Sequence, residues 1–159
     1  MFKKKYYTEE PIIPYKISNL AINYSIPIIF VSGFVSMIYN YKILAFLQFF
    51  LFMTSVLHWR HIKKDGIIRK IDMMTAFITF SYATYNATYI IPNIKYIWYY
   101  SQSVSFGVFV LNEMFFFTFI KNCRNKTYIQ YQSVIVHMIF LHILPTFANI
   151  YCIINGKKI

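Results

Sequence analysis

The chain predicts an all-α protein, a polytopic bundle of about five transmembrane helices with its amino terminus in the cytoplasm. Three observations predict it. Of its 159 residues, 58% are hydrophobic and only 13% charged, whereas ordinary globular chains carry about 25% charged residues, so lipid is the solvent for most of the chain. The apolar residues fall into runs near the ~20 residues that cross a bilayer, and short polar clusters separate them. The basic residues crowd onto alternate clusters, the pattern that sets orientation in a membrane.

The spans fall at 18–39, 42–60, 69–88, 95–120 and 128–154. The first follows the basic start MFKKKYYTEEPIIPYK. Its apolar run is too long for a signal peptide and no small-x-small cleavage site follows it, so it stays in the protein as a span. The second runs from Lys42 to the polar end His58-Trp59-Arg60, and the third starts at Arg69 and passes Asp72. Lys95 and Lys121 bracket the fourth, and SVIVHMIFLHILPTFANIY is the body of the fifth. Strands are excluded, because open sheet edges do not occur in hydrocarbon and the alternation of a barrel is absent. No internal repeat or soluble domain is evident, so residues 1–159 read as one transmembrane domain.

Five spans place Lys3, Lys4, Lys5, Lys16, Arg60, Lys63, Lys64, Arg69, Lys70, Lys121, Arg124 and Lys126 on the side of the amino terminus. Only Lys42, Lys95, Lys157 and Lys158 fall on the other. The amino terminus is therefore expected in the cytoplasm. The net charge of +11 then reflects topology and calls for the lipid bilayer as partner, with anionic headgroups at the basic inner face and no nucleic acid. Tyr39, Tyr41, Tyr85, Tyr89, Tyr96, Trp98, Tyr99 and Tyr100 read as an outer aromatic belt, and Tyr15, Trp59 and Tyr128 as an inner one. Cys123 and Cys152 are expected on opposite sides and unable to pair. Of the sequons at Asn86 and Asn125, only Asn86 is expected on the outer side, close to the membrane.

The ionisable residues within the spans all fall in the inner half. His58 ends the second span, Asp72 begins the third, and Glu113 lies about 12 Å along a helix from Lys121. His137 is near the inner interface, with His142 about 7 Å deeper. Such residues are costly in hydrocarbon and face the bundle interior. Three imidazoles, His58, His137 and His142, with a carboxylate make a zinc set, leaving a position for a water whose pKa the metal lowers; a second carboxylate among Asp72 and Glu113 would act as base. Structural roles stand beside these. His58 can be an interfacial residue beside Trp59 and Arg60, Asp72 can face the helix dipole or pair with Arg60 or Arg69, and Glu113 can bridge to His142. Ser55 can bond back to the backbone or across helices. Nucleotide-binding, zincin and dithiol motifs are absent, and so are the paired broken helices or charge rings of transporters and channels.

Ser55-x-x-His58 at the end of the second span, Asp72 at the start of the third, and the paired His137 and His142 of the last resemble the CREST membrane hydrolase superfamily, which includes the alkaline ceramidases and the progestin/adiponectin receptors. The resemblance implies zinc held by three histidines near the inner face, Ser55 and Asp72 assisting, and hydrolysis of a lipid amide or ester. That family has seven spans, one more residue between serine and histidine, and terminal histidines at i, i+4. The stretch Ser55 to Arg60 followed by Arg69-x-x-Asp72 also resembles small multi-pass proteins of large DNA viruses and protists, a likeness that implies no activity.

Convergence of His58, Asp72 and a histidine of the fifth span predicts that the second, third and fifth helices pack together and leave the first peripheral. Residues five apart on an α-helix lie about 140° apart around its axis, so His137 is expected nearer the site than His142, unless Pro145 opens the turn before it. The charge asymmetry generates a direct test. With Cys123 and Cys152 replaced by alanine, a cysteine at Gly66 should resist a membrane-impermeant thiol reagent on intact cells and react after permeabilisation; labelling without permeabilisation would invert the orientation.

Overall fold

The computed structural model describes residues 14–60, 66–91, 94–119 and 126–156. Among the described residues there are five helices and no strand: α1 (residues 15–38), α2 (Lys42–Arg60), α3 (67–90), α4 (Lys95–Phe119) and α5 (126–156). Their ends lie within three residues of the expected spans. The stretches Lys16–Ile38, Lys42–Arg60 and Thr127–Gly156 are long and apolar enough to cross a membrane. α3, with Arg69, Lys70 and Asp72 in its first two turns, and α4, with its Ser, Gln and Asn residues, are more polar. The bundle is apolar outside and polar within. Phe34, Phe46, Phe50, Met53, Met74 and Phe77 are exposed, while Ser25, Ser32, Ser36, Gln48, Thr75, Gln102 and Asn149 are buried, the inverse of a water-soluble protein.

Local chemistry sets the helix ends. The Pro14 carbonyl accepts from the amides of Ile17 (2.9 Å) and Ser18 (3.1 Å) to start α1. α1 stops in a Schellman motif: Asn40 takes the left-handed conformation (φ 65°), its amide donates to the Met37 carbonyl, and the Tyr41 amide donates to the Ser36 carbonyl at 2.8 Å. Asn is the side chain that tolerates this region best after Gly. Gly66, in extended conformation, caps the start of α3.

Three helices contain a π-helical turn: Ala21–Ser25 in α1, Asn86–Ile90 in α3 and Met138–Ile143 in α5. In each, the closing i→i+5 bond comes from the residue just before a proline: Ile26 before Pro27, Ile91 before Pro92, and Leu144 before Pro145. Proline has no amide to donate and its ring collides with the carbonyl four residues back. A wider turn moves that carbonyl away and re-pairs the backbone, as π-bulges do.

α1 is the centre of the bundle, which corrects the expectation of a peripheral first helix. It packs against α2 on one side and α5 on the other, while α3 packs on α2 and α4 on α5. The reason is side-chain size. Ser25, Ser32, Gly33 and Ser36 line the buried face of α1, and small residues let helices approach closely in a membrane-type bundle. Ser36 Oγ donates to Gln48 Oε1 (2.8 Å), Gln48 Nε2 donates to Ser32 Oγ (2.9 Å), and Asn149 Nδ2 donates to the same oxygen (3.2 Å). A neutral network thus ties α1, α2 and α5.

α3 and α4 meet chiefly at their α3-to-α4 connection, around the π-turn 86–90, and α3 packs mainly on α2, while Ala83 and Ala87 share a buried cluster with Ala148, Cys152 and Ile153 of α5. Two aromatic assignments also change. Trp59 and Trp98 are 4% and 3% exposed, interior groups and not belt residues, and Trp98 Nε1 donates to Thr84 Oγ1 at 3.0 Å. Each falls on the inward stripe of its helix, four residues from Ser55 and three from Ser101, so depth along the span did not decide its facing. Asn86 is 2% exposed, out of reach of a glycosylating enzyme in the folded chain. Cys152 is a free, buried thiol, and Cys123 and Asn125 lie outside the described residues.

The α1–α2 contact is sensitive to added bulk, because a Cβ at Gly33 would come within 2.6 Å of the Phe49 ring. Gly33→Leu should lower stability in detergent by about 1–3 kcal/mol through overpacking. Gln48→Leu should cost about 0.6–1.7 kcal/mol, the range for interhelical hydrogen bonds. Thermal unfolding of the purified variants checks both, and a Gly33→Leu protein as stable as the parent would remove the close contact.

Candidate functional site

Asp72 lies on the second turn of α3, facing the last two turns of α2. Ser55 Oγ donates to Asp72 Oδ1 at 2.7 Å and Thr54 Oγ1 donates to the same oxygen at 3.0 Å. The shorter bond has the length of a hydroxyl bound to a carboxylate. Ser55 therefore has its proton committed to Asp72 and holds that group in place.

His58, one turn further along α2, is near enough to Asp72 to interact with it electrostatically. Its Nδ1 is buried and without a hydrogen-bond partner. Its ring meets that of Trp59 with centroids 5.8 Å apart, and the buried indole is the hub of the site. Edge-to-face contacts link Trp59 to His137 at 5.2 Å and to His142 at 6.1 Å, and Phe109 of α4 closes on His137 at 6.3 Å.

The two α5 histidines are both in the site, His137 the nearer of them to Trp59. An i→i+5 turn places residues five apart nearly above one another, and Met138–Ile143 is such a turn. The rings of His137 and His142 stand 5.1 Å apart. The distortion that Pro145 makes available is therefore realised.

Ser25, which sequence inspection passed over, determines the state of His142. Ser25 Oγ lies 2.8 Å from His142 Nδ1 and donates its own proton to the Ala21 carbonyl at 3.1 Å. With the Ser25 proton assigned to the Ala21 carbonyl, the serine accepts from Nδ1–H, an assignment that leaves the lone pair of neutral His142 on Nε2. The signal was present: Ser25 stands two residues before Pro27, inside the first π-turn.

Among the described residues, no group of three or more His, Cys, Asp or Glu side chains is placed to hold a metal ion. His137 and His142 are paired, while His58 meets Trp59 and does not complete a three-histidine set. The side chain of Glu113 lies outside those described. The α4 backbone at 113 is level with Gln132, judging from the bond of Asn112 Nδ2 to Ser133 Oγ, and so is more than two turns from His142. The expected bridge between Glu113 and His142 falls on a side chain outside those described, and the partner shown for His142 Nδ1 is Ser25.

No family model, curated protein or solved structure matches the chain. The site's chemistry therefore rests on its own geometry: a carboxylate held by two hydroxyls, an imidazole with an unpaired nitrogen, and a second imidazole with a directed lone pair. A measurement follows for the last. In protein with ¹⁵N-labelled histidine, His142 should give the NMR shifts of the Nδ1–H tautomer, and Ser25→Ala should convert it to a tautomer mixture. An Nε2–H tautomer in the parent protein would reverse the assignment.

Proposed function

We propose that the protein crosses the membrane five times with its amino terminus in the cytoplasm, and that its function resides in a ligand site in the cytoplasmic half of the bundle, built from His58, Asp72, His137 and His142. One observation carries this reading. Four ionisable side chains from three helices are gathered inside a bundle whose exterior is apolar. An aspartate costs ~2.5 kcal/mol or more at the centre of a span on insertion scales, and Asp and His within spans mark functional paths. Packing does not require them, because the neutral Ser32–Ser36–Gln48–Asn149 network already joins the central helices.

A second reading, zinc-dependent hydrolysis of a lipid amide or ester, is favoured by the α5 pair. Two imidazoles on a tetrahedral zinc, with Zn–N about 2.0–2.1 Å, have ring centroids about 5 Å apart. His137 and His142 stand at 5.1 Å. His58 would have to turn from Trp59 to join them, so the three histidines as placed do not fit that group and no catalytic step is drawn through a metal.

One set of purified proteins tests both readings. In detergent, His142→Leu and Asp72→Asn should leave stability unchanged or raise it by about 1 kcal/mol, since functional sites hold strain and unmet polarity. A fall of more than about 2 kcal/mol in both would make the cluster a structural network. Zinc near one equivalent, lost in His137→Ala, supports hydrolysis; stable protein free of metal removes it.

A further inference from the structure

Apart from Asn86, three buried polar atoms among the described residues have no partner: His58 Nδ1, Gln102 Nε2 and Ser105 Oγ. The last two belong to α4, which otherwise supplies Phe109 to the site. Gln102 and Ser105 are 8% and 2% exposed, while Ser103, Phe106 and Gly107 between and beside them are exposed. They therefore lie on the inward stripe of α4 together with Trp98, Ser101 and Phe109.

Hydrogen bonds fix their level. Ser101 Oγ donates to the Leu144 carbonyl at 3.5 Å, and Asn112 Nδ2 donates to Ser133 Oγ at 3.0 Å. Both contacts obey one antiparallel register. It sets Gln102 opposite Ile143 and Ser105 opposite Phe140, on either side of His142, and the Phe109–His137 contact agrees with it. The Ser36–Gln48 and Ser32–Gln48 bonds similarly set Ser25, the partner of His142, level with the end of α2 at His58. The two unpartnered α4 atoms thus share the level of His142. Asn86, also unpartnered, is in the π-turn of α3, level with the first turns of α4.

We infer that Gln102 and Ser105 are ligand-binding residues of this site, a neutral donor pair that holds the uncharged carbonyl oxygen of an acyl lipid beside His142. This rests on the reading of the cluster as a ligand site. A buried donor left unmet costs about 1–3 kcal/mol, so the pair is built for an acceptor that arrives from outside. That acceptor is neutral, because α4 carries no Lys or Arg from Tyr96 to Phe119 and a phosphate would require a cation beside these donors. It is brought by an apolar molecule, since the exterior through which it enters is apolar.

The test uses the full chain in detergent, with the thermal midpoint followed as monoolein is added; octadecane, an equal chain without oxygen, is the control. Monoolein should raise the midpoint and octadecane should not. Gln102→Leu and Ser105→Ala should each raise the half-maximal monoolein concentration about five- to tenfold, as loss of one hydrogen bond predicts. If Gln102→Leu does not fold, Gln102→Met and Ser105→Ala serve. Equal response to the two additives, no response to monoolein, or an unaltered response in both α4 variants overturns the inference. In the last case, loss of the response in His142→Leu would retain the site and remove α4 from it, whereas an unaltered His142→Leu would remove both.

Discussion

A proline cannot donate a backbone hydrogen bond, and the central architecture follows from where this chain puts Pro27 and Pro145. Each is preceded by a π-turn, and each π-turn presents one partner of the buried bond between Ser25 and His142. The two widened turns face each other across the α1–α5 contact. Ser32 and Asn149 repeat the same parallel register seven residues further along. One backbone defect per helix therefore positions an imidazole, fixes its tautomer and aligns two helices.

The interior has two polar tiers with different chemistry. The tier around Ser32, Ser36, Gln48 and Asn149 is neutral and mutually bonded, the kind of network that adds specificity to helix packing at modest energetic gain. The tier around Trp59 holds His58, Asp72, His137 and His142, and there the bonding is incomplete. Asp72 is held by Thr54 and Ser55, whereas His58 Nδ1 lacks a partner. A closed network rigidifies; an open one has capacity for something else. That contrast within one bundle is the strongest internal argument for function at the second tier.

The arrangement of helices suits such a site. α1, lined by small residues, lies close against α2 and α5, so the imidazoles of both helices reach the same indole. α3 delivers Asp72 through α2, and α4 delivers Phe109 through α5. The two outer helices join each other mainly near the connection between them, which leaves their other halves as separate walls on either side of the polar tier.

Composition and periodicity by themselves determined the solvent, the helix count and the helix limits, because lipid imposes length and apolarity on each segment independently of its neighbours. They also led to the expectation that His58 and Asp72 lie at similar depth and His142 deeper than His137, since depth is counted along a helix. Facing was not legible in the same way. The 140° offset of His137 and His142 assumes a uniform α-helix, and only the structure decided that the turn before Pro145 is π. Trp59 and Trp98 look like belt residues until their neighbours are known. The central place of α1 depends on Ser25, Ser32, Gly33 and Ser36 meeting Phe49, Gln48, His142 and Asn149, and contacts between segments far apart in the chain leave no pattern in either segment alone. Depth is a property of one helix, and partnership is a property of two; only the tertiary structure supplied the second.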